Sequence, residues 1–252
     1  MKLEVIGFNI ESCIDAQEGG ANRIELCSSP GEGGTTPSYA FIKSAREKLH
    51  IPLYVMIRPR GGDFLYSDDE FETMKQDILV CKQLLCDGIV TGILTTEGKV
   101  DIKRNRELIE LAYPLQVTFH RAFDRVSNPV ESLEKVIELG FERILTSGLR
   151  PRGVEGIEML SQLVKQADGR IIIMPGSGVN SENVISIIEG SGVKEVHTSA
   201  GIQLQSKMEF QNPAMNESLD HLTVDKEEVK KIIKLLNDYQ LKDIKQLKDI
   251  TT

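Results

Sequence analysis

The stretch VTFHRAFD, residues 117–124, closes an apolar run with an imidazole, a guanidinium and a carboxylate: His120, Arg121 and Asp124. A strand end requires none of these. Together they suit proton transfer and anion recognition, because imidazole titrates near neutrality and guanidinium grips oxyanions with a fixed fork of donors. Three other stretches hold groups of the same kind. RIELC, 23–27, carries Glu25 and Cys27; IRPRGGD, 57–63, carries Arg58 and Arg60 before two glycines; KEVHTS, 194–199, carries Glu195, His197 and Ser199. In one reading Arg58, Arg60 and Arg121 hold a small anion, Glu25 or His120 moves a proton, and Asp124 orients a neighbour or pairs locally with Arg125. Isomerase, aldolase or lyase chemistry on a small anionic or phosphorylated metabolite fits such a set. In the other reading, Cys27, His120 and His197 are the candidate metal ligands.

These residues need a scaffold that brings distant strand ends to one place. Eight short β-rich runs are expected at 3–8, 23–27, 53–58, 88–94, 115–120, 142–147, 170–175 and 194–199, with helical spacing between them. Alternating strands and helices imply parallel pairing with right-handed crossovers. Eight units predict a single-domain α/β protein, a TIM-like (β/α)8 barrel over 1–252, with a doubly wound open sheet as the alternative. Asn128 before Pro129 reads as a helix cap, Asn180 or Ser181 caps the next helix, and Gly140 and Gly190 suit helix ends. Residues 200–224 read as a long loop over the mouth of the barrel. A helical tail is expected from about 225, its QLKDIKQLKDI repeat (240–250) forming a solvated extension.

Side chains alternate along a strand, so Glu4, Glu25, Arg58, His120, Glu195 and His197 are expected to face the barrel interior. Barrel interiors are usually packed with branched apolar residues. The polar set is therefore either an ion-pair network that neutralises itself or a ligand site at the C-terminal mouth. After the seventh and eighth runs, Gly176, Gly178 and the turn from Ser199 to Gly201 offer backbone N–H groups to an anion.

Net charge is −8, from 38 acidic and 30 basic residues that are interspersed. This argues against a nucleic-acid surface, which needs a basic patch. No apolar run approaches a membrane span, and the N-terminus lacks the apolar core of a signal peptide. A cytoplasmic protein with no membrane contact is expected. The four cysteines, Cys13, Cys27, Cys81 and Cys86, form no C-x-x-C pattern, and Cys81 and Cys86 read as small buried hydrophobes.

The ordered motifs RIELCSSPGEGGTTPS, MIRPRGGDFLYSDDEF, VTFHRAFD, ILTSG, IIIMPGSGV and EVHTSAG together resemble the CutC family of copper homeostasis proteins, from about residue 1 to 212. The resemblance implies a TIM-like barrel, a cytoplasmic location, a homo-oligomer, and Cu(I) bound through two cysteines near the barrel mouth. One of those positions is Cys27. The other, in the first strand, is Ile6 here, which offers no donor; Met56 and Met174 are the candidate thioether substitutes. The family segment after the eighth strand, Met-x-aromatic-Arg-Asn, corresponds to Met208, Phe210, Gln211 and Asn212, with Gln211 in place of the arginine.

Overall fold

The computed structural model describes residues 1–250, with side chains through residue 242. Eight parallel strands form the barrel: β1 (Lys2–Gly7), β2 (Arg23–Leu26), β3 (Leu53–Met56), β4 (Gly88–Thr91), β5 (Gln116–Phe119), β6 (Arg143–Thr146), β7 (Ile172–Pro175) and β8 (Glu195–Thr198). Their hydrogen-bonded order is β7-β6-β5-β4-β3-β2-β1-β8, and the two end strands, β7 and β8, pack side by side, so the sheet curls into a nearly closed barrel. The helices are α1 (Ile10–Glu18), α2 (Tyr39–Lys48), α3 (Asp68–Gln83), α4 (Ile102–Ala112), α5 (Pro129–Leu139), α6 (Ile157–Ala167), α7 (Val184–Ser191) and α8 (Lys226–Ile250).

The period-two pattern sorts the strands into two faces. Leu3, Val5, Ile24, Leu26, Leu53, Val55, Ile89, Val117, Phe119, Ile144, Ile173 and Val196 point out to the helices and join one continuous core. At fully buried positions such as these, each side chain contributes about 1.5–3 kcal/mol through removal from water. A separate small cluster, Ile6, Cys27, Tyr54, Met56 and Val90, with Phe8 packed on it, fills part of the barrel interior.

Local signals position the helices. Asn128 caps α5 by accepting from Glu131 N–H, with Pro129 at the first helical position, and Gly140 closes it in the left-handed region at φ 92°. α7 departs from expectation. It begins after Asn183, while Asn180 organises the preceding turn by accepting from the Glu182 and Asn183 amides; Gly190 lies inside the helix and Gly192 ends it. The connection after β8 also differs from a plain loop. It contains an antiparallel hairpin, β9 (Gly201–Leu204) and β10 (His221–Val224), that leads into α8. Met208 and Phe210 sit exposed between these strands. The helical tail begins at Lys226; beyond Lys242 the side chains of the QLKDIKQLKDI repeat lie outside the described residues.

Candidate functional site

Register sets the floor of the site. Glu4 is the Cα partner of Arg23 on one side and of His197 on the other. Three adjacent strands thus bring a carboxylate, a guanidinium and an imidazole to one height. Arg23 donates through Nε to Glu4 Oε2 and through Nη2 to Glu195 Oε2 at 2.9 Å. Arg143 reaches the same Glu195 oxygen at 3.1 Å. Both guanidiniums lie over the Tyr54 ring, 4.9 and 5.3 Å from its centre. Two carboxylates and two guanidiniums balance, which a buried ionic layer requires. Arg23 and Arg143 complete the network. Alternation along 142–147 puts Arg143 on the interior face, where it is buried.

His197 and Glu25 stand above this layer. His197 Nδ1 lies 2.8 Å from Glu4 Oε1, and its Nε2 lies 3.8 Å from Glu25 Oε2. The first contact is a hydrogen bond; the second is too long for one. Cys27 Sγ donates to the same Glu25 oxygen at 3.7 Å, and Glu25 Oε1 is buried without a partner. Carboxylate oxygens of Glu4 and Glu25 and a ring nitrogen of His197 all fall within 4.8 Å of one another, a spacing able to hold a metal ion. Burial pushes Glu25 up to about 7, helped by the charge on Glu4 and opposed by His197. Burial also pushes Glu4 up, but Arg23 and His197 outweigh it and hold Glu4 at about 2. Burial would lower His197, yet Glu25 and Glu4 leave it raised. Burial and the neighbouring Glu25 push the Cys27 thiol well above its usual range. Ile6 lines the space above the floor and offers no donor, while Cys27 Sγ and Met56 Cε both crowd Gly34, whose φ of 94° suits glycine. Met174 has its sulfur against Arg23 Nη2 at 3.3 Å, so it serves the ionic layer.

A cavity of about 730 Å³ opens above at the C-terminal mouth. Its lining includes Glu25, Arg58, His120, Arg121, Asp124, Gly178, His197 and Ser199. Arg58 is fastened by its Nη groups to the carbonyls of Glu32, Gly34 and Gly62 at 2.7–3.0 Å, leaving Nε without a partner. His120 Nδ1 accepts from Ala122 N–H at 3.2 Å, and Nε2 is buried without a partner. Burial and the charge on Arg58 bring His120 down to about 3.

Other expected residues are committed elsewhere. Arg60 turns from the cavity and spends its donors on Asp63, Glu70 and the Gly61 and Leu65 carbonyls. Asp124 does not pair with Arg125; it accepts from Arg121 Nε, Thr146 Oγ1, Ser147 N and Oγ, and Leu149 N at 2.5–3.2 Å, so it braces the loop after β6. Gly176 N–H bonds Thr146 O at 3.0 Å in the ladder and offers nothing to an anion. Arg121 keeps an exposed face, but its Nε and Nη2 go to Asp124 and Ser147. Phe64 and Arg150 also line the cavity, and sequence reasoning missed both because they sit in irregular loops. His120 lies on the wall, outside the Glu4–Glu25–His197 group.

The CutC family model matches residues 1–202. A mouse protein named copper homeostasis protein cutC homolog is 49% identical over 221 residues, 87% of this chain and 81% of the relative. A CutC protein of Vibrio vulnificus is 53% identical over 83% of this chain and 84% of its own length. Among solved structures, CutC from Streptococcus agalactiae superposes with a TM-score of 0.76 at 38% identity, covering 79% of this chain and 98% of that one. Phosphoribosylanthranilate isomerase from Thermotoga maritima, at 16% identity and a TM-score of 0.60 over 94% of this chain and 99% of that one, shares the barrel fold alone. With a family match over most of its length and relatives at about half identity, this chain belongs to the CutC family.

Proposed function

We propose that this chain serves copper homeostasis in the cytoplasm by binding copper at the barrel floor, through His197 Nε2, the Glu25 carboxylate and the Cys27 thiol beside it. The observation that carries this is the 3.8 Å gap between His197 Nε2 and Glu25 Oε2, with Glu25 Oε1 unpartnered. Two atoms at that separation are too far apart to bond each other and well placed to share an ion. Glu4 on His197 Nδ1 fixes the tautomer that leaves Nε2 as a ligand, a common support for metal-binding imidazole. Thiolate and the nearby Met56 thioether suit Cu(I), while imidazole and carboxylate suit Cu(II). The mouse and human relatives carry copper homeostasis in their names.

Ile6 removes one thiol from the two-cysteine pattern, so the floor imidazole and carboxylate take over that share of the binding. Copper must displace the protons held by Cys27 and Glu25, which makes binding weaken as pH falls. An anaerobic Cu(I) titration against a competing chelator tests this in wild type, Cys27→Ser and His197→Gln. Stoichiometric binding weakened in both variants supports the reading; binding indifferent to both sinks it.

A second reading is favoured by one pair of groups. Glu25 at about 7 and His120 at about 3 line the same cavity. A carboxyl poised near neutrality facing a neutral imidazole N–H suits proton transfer by Glu25 with His120 as a hydrogen-bond donor. An isomerase, aldolase or lyase acting on a small anionic metabolite fits that pair.

A further inference from the structure

We propose that the cavity wall formed at the ends of β3 and β5 is an oxyanion subsite that takes the carboxylate or carbonyl oxygen of a small organic acid. Two donors define it. Arg58 and His120 are 5% and 3% exposed; His120 Nε2 is buried without a protein partner, and Arg58 Nε has none at hydrogen-bond distance, with the unpartnered Tyr66 hydroxyl its polar neighbour. Leaving a buried donor unmade costs about 1–3 kcal/mol, and folded proteins rarely leave two such donors together. Both side chains pack on one ring: the Arg58 guanidinium lies 5.1 Å and the His120 imidazole 4.8 Å from the centre of Phe64.

The hydrogen bonds fix what His120 contributes. Its Nδ1 accepts from the Ala122 amide, so the neutral ring carries its hydrogen on Nε2. Burial, helped by the charge on nearby Arg58, keeps the ring neutral. His120 is therefore a hydrogen-bond donor to the ligand and not the base that its type suggested. Arg58 supplies the positive charge from a guanidinium held rigid by three backbone carbonyls. A charged donor and a neutral one on a fixed wall are the parts of a site that stabilises negative charge on oxygen.

The remaining boundaries narrow the ligand. Glu25 lines the same cavity, a carboxyl suited to a ligand hydroxyl. The rim carries Arg125 and Arg150, suited to a second anionic group. The class is a small hydroxy or oxo acid. This deepens the small-ligand reading and does not depend on copper, since neither Arg58 nor His120 belongs to the floor group.

Isothermal titration of metal-free protein with glycolate and pyruvate tests the subsite, with inorganic phosphate as the comparison anion, in wild type, His120→Leu and His120→Gln. The Gln carboxamide restores an N–H near the Nε2 position. We expect the organic acids to bind, with His120→Leu weakening them about tenfold, the loss of one good hydrogen bond of about 1.4 kcal/mol. His120→Gln recovers most of that, and copper binding is the same in all three proteins. Nitrogen NMR of the ring should show hydrogen on Nε2 throughout the neutral range. Binding equal in wild type and His120→Leu, binding of phosphate alone, no binding of any probe, or hydrogen on Nδ1 would each overturn the proposal. Loss of copper binding alone would instead count against the floor site.

Discussion

Replacing Glu25 by glutamine should make the protein more stable at alkaline pH. Burial holds this carboxyl at about 7 against an ordinary 4.5. The native state therefore binds the proton more tightly than the unfolded chain does. Stability from this group is full below pH 4.5 and is lost as pH rises through about 7. At about 1.36 kcal/mol per tenfold in proton affinity, the ionised native state is disfavoured by about 3 kcal/mol. Glutamine keeps the shape and removes the charge, so Glu25→Gln should gain up to about 3 kcal/mol at pH 8 and little at pH 4. For a chain of this size that corresponds to a rise of about 6–12 °C in Tm at the higher pH. Urea unfolding of metal-free protein at both pH values measures it. A variant destabilised equally at both would show that Glu25 is a compensated member of the ionic layer, and would refute its treatment as a site residue held at a cost to stability.

Arg23→Ala should cost about 3 kcal/mol in urea unfolding, because it leaves buried Glu4 with His197 alone and Glu195 with Arg143 as its buried cation. Glu4, held at about 2 by Arg23 and His197, works in the opposite direction to Glu25: its stability is present above 4.5 and is lost as pH falls toward about 2, so Glu4→Gln should flatten the acid limb of a stability–pH curve. Asp124→Ala should loosen the loop after β6, seen as faster amide exchange at Ser147 and Leu149, whose N–H groups it accepts. In metal-free native protein Cys27 should resist thiol reagents until unfolding, since it is fully buried and its thiol is held protonated.

The barrel was legible because strand alternation and helical spacing are written locally. The same alternation placed Glu4, Glu25, Glu195 and His197 inside, since a one-residue shift would have put charge against the helices. What it does not encode is partner choice. Arg58 and Arg60 look equivalent in IRPRGG, yet one is drawn under the β2 loop carbonyls and the other into Asp63 and Glu70. Asp124 read as a local or catalytic group because its five donors include three residues more than twenty positions away. His120 read as a base because the amide that fixes its tautomer is backbone, and backbone geometry is invisible in side-chain composition.

The proposed copper position on the barrel floor is tested most directly by a copper-edge anomalous difference map from crystals of the copper-loaded protein. One peak is expected, bridging His197 Nε2 and Glu25, within reach of Cys27, and absent from crystals of His197→Gln. A peak confined to the rim or to Cys81 and Cys86, or a floor peak that survives loss of His197, would contradict it.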